Sequence, residues 1–347
     1  MLWTVSVRIE FQAMPYAKVR PIVFTYLSLL FLVNCQNNSW GKFWEVGNVT
    51  ISGSSLSACQ IAVAGDERAM ACVPANTTGF PRTNSVVASI TAFAIAKYEV
   101  TYADWSAVKA WSAGNGYSFV NNGTIGNSNT GSTQQPATSM NWREMIVWCN
   151  AASQESGLTP VYYTDAGMTT PLKVATTTGG INAAAGSEDN PYVNWSANGF
   201  RLATGAEWEY AFRYLTSSSF TPDTAPSGWV DSNSNATVDD PSENDPVGWS
   251  SGNSSATQPV GGKLPNALGI YDMSGNAYEL VWDWNGAYSN ASPYTDADSK
   301  GPNAGTARDV RGGSYGAAAI FMVGNWHGST TPNAGDSQRG FRVVRRP

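Results

Sequence analysis

Residues 266–282 read Asn266-Ala-Leu-Gly-Ile-Tyr-Asp272-Met-Ser-Gly275-Asn-Ala-Tyr-Glu279-Leu-Val-Trp282. Asp272-Met-Ser-Gly275 reads as a turn, since Asp bonds its own backbone locally and Gly takes backbone angles closed to other residues. The turn opens onto Glu279-Leu-Val-Trp282, which reads as a core strand. Further on, Arg311-Gly-Gly-Ser-Tyr315 carries a glycine pair that permits close backbone approach. With Gly340-Phe-Arg-Val-Val344 it reads as the two ends of a final hairpin that frames whatever lies between.

Upstream, three segments share one helix-start signal: Thr101-Tyr-Ala-Asp104, Asn141-Trp-Arg-Glu144 and Thr204-Gly-Ala-Glu207. In each, the first side chain can accept from the N3 amide while the acid reaches back to the cap amide. The acid also faces the positive end of the helix. Val100 with Trp105 and Met140 with Met145 make hydrophobic staples, and Ala203 with Trp208 a weaker one. Trp142, Met145, Ile146 and Cys149 fall on one helical face, and Gly157 stops that helix. Capping accounts for Glu144 and Glu207, so neither is read as a catalytic acid. Ile90 to Tyr98 reads as a strand leading into the first helix, and Gly199-Phe-Arg-Leu202 as a short strand before the third. Residues 113–138, 164–198 and 216–258 read as long loops, which mean either function or irregular packing. No linker interrupts 90–347.

Composition narrows the function. Of 347 residues, 42% are hydrophobic and only 13% charged, with 14 tryptophans. The charged share is about half that of an ordinary soluble domain. This suits a loop-rich extracellular domain whose loops are held by aromatic anchors. A net charge of −6 without any Lys/Arg run argues against nucleic acid. One histidine, His327, makes a His-based zinc site or Ser-His-Asp chemistry a poor fit. The four cysteines show no CxxC spacing.

Lys18 and Arg20 precede an apolar run that ends Leu32-Val33-Asn34-Cys35. The run is shorter than the roughly 20 residues of a membrane span and reads as a secretory signal, with Met14 an alternative start. Its end resembles the lipobox of bacterial lipoproteins in the relaxed form used by spirochaetes. That resemblance implies lipidation of Cys35; a plain secretory signal is the alternative. Residues 36–67 follow as a tether and N-terminal extension. Cys59 and Cys72 could pair in an oxidising compartment, and Cys149 reads as a buried thiol.

The ordered set Lys97-Tyr-Glu-Val-Thr101, Gly199-Phe-Arg-Leu-Ala-Thr204 with Glu207-Trp-Glu-Tyr210, Asn266 to Glu279, Arg311 to Tyr315 and Gly340 to Val344 resembles the formylglycine-generating enzyme (sulfatase-modifying factor) family. The resemblance covers 68–347. It implies an α+β chain with the large variant of the C-type-lectin-like fold, loop-rich, with a few short helices and a central antiparallel sheet. Enzymes of that family hold copper with two cysteines in the stretch after Arg-Gly-Gly-Ser. Those places fall at Ala317 and Met322 here, and no cysteine follows Cys149. Alanine supplies no ligand and methionine only a neutral thioether. Other members use paired histidines, which one His327 cannot provide. A metal-dependent oxidase is therefore the disfavoured alternative to a binding protein.

Residues 316–339, within a region of about 309–339, also resemble the variable region of proteins diversified by retroelements, where adenine-directed mutagenesis alters chosen codons. Such proteins place that region between these same two framing motifs, and in treponemes the variable protein is a lipoprotein. The resemblance implies a ligand surface made by Gly316, Ala317, Ala318, Ile320, Phe321, Trp326, His327, Ser329, Thr330, Thr331, Asn333, Asp336 and Ser337. Trp326 leads as hot spot, with an ordinary core residue as the alternative. The expected protein is a monomeric exported lipoprotein at the outer membrane or cell surface. It would touch the membrane only through its lipid and bind a protein or glycan. No cofactor is expected beyond structural calcium, which the family resemblance puts at Asp272, Gly275, Ala277 and Glu279. The alternative there is that Asp272 caps a turn and Glu279 pairs with an arginine. No Glu-Pro-Asn or Gln-Pro-Asp signature of calcium-dependent lectins is present.

Overall fold

The computed structural model describes residues 69–82, 87–233, 240–287, 289, 291, 292, 295, 296 and 298–347. Every described residue belongs to one compact unit within Ala58–Pro347. The signal, Cys35, the tether and Cys59 lie outside the described residues. Cys72 is disulfide-bonded. Cys149 is buried, as its helical position suggested.

In chain order the main elements are β1 (Met70–Val73), β2 (Asn76–Pro81), β3 (Val87–Ile90), β4 (Phe93–Ala96), α1 (Tyr102–Ser112), α2 (Trp142–Glu155), β5 (Arg201–Leu202), α3 (Gly205–Arg213), β6 (Tyr278–Trp284), β7 (Arg308–Arg311), β8 (Gly328–Thr330), β9 (Arg339–Gly340) and β10 (Val343–Arg345). All three helices begin with the expected reciprocal capping box. The α2 helix is buried on every side from Trp142 to Ser153, not along one stripe. Its polar residues are therefore bound. Asn150 donates to the carbonyls of Tyr162 and Leu172 and accepts from the amides of Val161 and Tyr162, pinning the loop beyond the helix. After Ser156 the chain turns at Gly157, whose φ is +69°.

One antiparallel sheet has the order β1-β4-β10-β5. A second four-stranded sheet has the order β8-β7-β6-β9. Trp105 of α1 and Trp148 of α2 pack with Phe341, while Trp208 and Phe212 of α3 belong with Phe80 to a second cluster. Among the described residues no helix is long and apolar enough to cross a membrane.

Two expectations need correction. The framing motifs do not pair with each other: β7 and β9 flank opposite edges of β6, antiparallel and parallel respectively. The strand opened by Asp272-Met-Ser-Gly275 is thus the bridge between the two frames. Residues 90–98 are not one strand, because the chain breaks at Thr91, whose amide and hydroxyl both donate to Asp298. Within residues 316–339 lie a 3-10 turn at Ala319–Phe321 and the strand β8.

Candidate binding surface

The site grows from the turn and the glycine pair. Gly275 has φ +83°, and a Cβ there would lie 2.0 Å from the Trp249 carbonyl oxygen. Its amide donates to the Gly312 carbonyl at 2.7 Å. Gly313 has φ +76°, and a Cβ would meet the Phe321 carbonyl oxygen at 3.0 Å. Only glycine lets turn, frame and following segment approach this closely.

From there the segment is held by its main chain. The Ser251 amide donates to Ala317 O, and Ser274 Oγ to Met322 O. Asn325 N donates to Asp223 O. Arg311 Nη1 donates to the carbonyls of Gly324 and Trp326. Gly328–Thr330 adds a strand to β7. Ser139 N donates to Asp336 O, and Tyr278 N to Gln338 O.

The side chains of the segment separate into two groups. Gly316, Ala318, Ile320, Ser329, Thr331 and Ser337 are exposed, Ile320 by 55%. Phe321, Trp326, His327, Asn333 and Asp336 are half-buried. Ala317 and Thr330, expected at the surface, are not: they are 6% and 7% exposed. Ala317 sits in the turn closed by its amide on Ser314 O, and Thr330 pairs with Arg308 in the sheet and accepts from Arg339.

Trp326 lies between Tyr278 and Phe321, with ring centroids 5.3 Å and 5.5 Å away. It is neither an isolated surface ring nor a core residue. Tyr278, which the sequence reading left just outside the strand, supplies the scaffold side of this trio. Burial raises its phenol pKa. His327 Nδ1 faces Asp309 Oδ1 at 3.3 Å, and Asn285 Nδ2 donates to that same oxygen.

The two places where the enzymes carry cysteines are closed. Met322 is fully buried, its thioether packed against Gly248, Gly275 and Gly313. The resemblance-implied calcium donors fit poorly. Asp272 Oδ1 is buried without a hydrogen-bond partner, which suits a hard cation. Glu279, however, accepts from Arg342 at 2.7 Å through one oxygen and from Trp208 Nε1 at 2.7 Å through the other. The arginine-paired alternative describes this carboxylate. Asp272 Oδ2 accepts from the Gly261 amide, and burial lifts its pKa to about 6. Glu99, also buried, accepts from Ala277 N and Asn276 Nδ2, and burial pushes its pKa well up.

Beside the segment's far end is a polar depression of 380 Å³ lined by Asn333, Asp336 and Ser337 together with Asn121, Ser139 and Thr177. Asn121 and Thr177 were not anticipated. They lie in loops without periodicity, where no local signal marks them.

Residues 54–347 match the family model described as sulfatase-modifying factor enzyme 1-like domain. The chaperone protein LppX of Paenibacillus barcinonensis is 28% identical over 270 residues, which cover 73% of this chain and 80% of that protein. A formylglycine-generating enzyme of Thermomonospora curvata is 32% identical over 167 residues, 45% of this chain and about half of the enzyme, 52%. Among solved structures, Treponema denticola variable protein 1 superposes with a TM-score of 0.62 at 26% identity, covering 80% of this chain and 95% of that one.

Proposed function

The chain belongs to the sulfatase-modifying factor enzyme 1-like domain family, and from that premise we propose that it is a non-enzymatic binding protein. On this reading residues 316–337 present a ligand surface that tolerates sequence change. The observation that supports it is the division of labour within the segment. Its backbone is fixed by scaffold groups acting on its carbonyls and amides, while Gly316, Ala318, Ile320, Ser329, Thr331 and Ser337 are exposed. Main-chain bonds do not depend on side-chain identity, so the displayed residues can change without loss of the loop conformation. A relative named as a variable protein is in keeping with this.

The oxidase reading finds no support at the positions that matter. Ala317 and Met322 are buried, and neither is a thiolate. Lipidation at Cys35, export and retroelement diversification belong to the same proposal.

The test is a library randomised at the six exposed positions. Most members should resist proteolysis as the parent does, and binders to chosen proteins or glycans should be selectable from it. General unfolding of the library would sink the proposal. Sequencing the gene across isolates tests diversification separately: changes should concentrate within 309–339 and trace to adenines, not spread equally over 113–138. Offered copper and a sulfatase cysteine peptide, the chain should form no formylglycine.

A further inference from the structure

We infer that the depression beside Asn333 is a subsite for a neutral saccharide, an inference that rests on the binding-surface reading and names a ligand class for it. Its volume of 380 Å³ is in the range of small-ligand clefts, but such clefts are mostly apolar. This one is lined by amides, hydroxyls and one carboxylate, with no apolar side chain among the described residues.

Its polarity is not charge. Among the described residues no cationic side chain lines it, so none selects a phosphate or a carboxylate. Asp336 is the one ionisable group among the described residues that line it; Oδ1 accepts from Gln338 N at 2.8 Å, and Oδ2 lies 3.9 Å from Arg339 Nη1. A cation therefore finds that charge already countered.

The groups left over match sugar hydroxyls, each of which both donates and accepts. Asn121 Nδ2 donates to Glu144 and Asn333 Nδ2 to Gly179 O, which leaves each amide oxygen as an acceptor for the depression. The hydroxyls of Thr177 and Ser337 make no hydrogen bond to the described residues, and each can give and take one. The floor is rigid. Ser139 is held at φ +66°, in the left-handed region uncommon for serine. Its amide is fixed on Asp336 O at 2.9 Å and its hydroxyl on Thr124 Oγ1 at 2.8 Å. A Cβ on Gly335 would come within 2.8 Å of Ser139 O, so floor and segment are in backbone contact. A peptide would need apolar pockets for its side chains, and none lies here.

The experiment titrates the full chain with a panel of neutral hexoses, pentoses and N-acetylhexosamines, free and as disaccharides, followed by ligand-observed NMR. At least one should bind saturably, in the millimolar range. Thr177→Val and Asn333→Ala should each weaken it about fivefold to tenfold, and Leu264→Ala, at an exposed site elsewhere, should not. Thr177 makes no hydrogen bond within the described residues, so its variant should melt with the parent. Failure of every saccharide to bind saturably, or binding indifferent to both substitutions, overturns the inference. Should protein ligands selected on the randomised segment lose affinity with Asn333→Ala while no sugar binds, the saccharide is wrong and the binding surface stands. A library that neither folds nor binds removes the broader reading as well.

Discussion

Arg308 carries a guanidinium into a part of the core where it is fully buried. Its carbon centre lies 3.8 Å from the Trp142 ring centroid and 3.6 Å from that of Trp284. Nη1 donates to Trp282 O and Nη2 to Asp189 O. Burial pulls its pKa well down, opposed by Asp189 and Asp283. Lysine cannot both stack between two rings and donate to two separate carbonyls. Arg308→Lys should therefore cost about 3 kcal/mol in urea unfolding, and a loss within error of zero would refute the caged-cation account. Asp283 makes a different prediction. Its Oδ1 accepts from Gly205 N, while Oδ2 is buried without a hydrogen-bond partner. Burial lifts its pKa to about 7, with Arg82 opposing. Because the folded value is raised, the stability linked to this group is present below about pH 4 and lost as pH rises through about 7. Asp283→Asn should remove that slope, so its unfolding free energy should fall less than the parent's between those limits. Parallel curves would place the titration elsewhere. Glu207 runs the other way. Burial pushes it up, but Arg201, at 2.6 Å on each oxygen, leaves it below its ordinary value. Its contribution is lost as pH falls through that lowered value.

At the scale of elements, the parts legible in the sequence are those made by residues close together along it. Each capping box spans four residues, so Thr101, Asn141 and Thr204 announced their helices outright. Thr204→Ala should cost about 1 kcal/mol, read by chemical denaturation, with Thr204→Ser nearly neutral; equal losses would mean that the hydroxyl is not the cap. The strands were misread where pairing is distant. Arg311 and Gly340 looked like partners because they bracket one segment, yet both pair with Glu279 in β6. Nothing in either motif encodes that a third strand comes between. The break at Thr91 depends on Asp298, which lies 207 residues away. The same distance hid the binding site's scaffold side. The segment's own residues could be named from its frame, but Asn121 and Thr177 reach it only through the folded loops. The burial of Ala317 and Thr330 was also hidden, because it follows from a turn and from a strand register.

For the whole molecule, the question is how a fold keeps one shape while part of its surface changes. Arg311 stands at the junction. Its Nη2 lies 3.5 Å from Glu209, which also pairs with Arg82 and Arg213, and its Nη1 holds the carbonyls of Gly324 and Trp326. A buried charge network thus ends on the backbone of the displayed segment. Met322 anchors the same stretch from below, packed on three glycines. Met322→Ala should therefore cost about 2–5 kcal/mol through the cavity it leaves. Replacing any one of the six exposed residues should cost far less, since surface changes are usually within about 0.5 kcal/mol each. Arg311→Gln separates the two functions of the network. It should raise hydrogen exchange across 322–328 and weaken any selected ligand, although Arg311 contacts no ligand on the proposed surface. Exchange in α2 should change much less, because that helix is buried in the core, its Trp148 packed on Phe341. If exchange instead rises uniformly through α2 and the segment, display and core are one cooperative unit. Variation at the surface would then be limited by global stability and not by the anchoring of the loop.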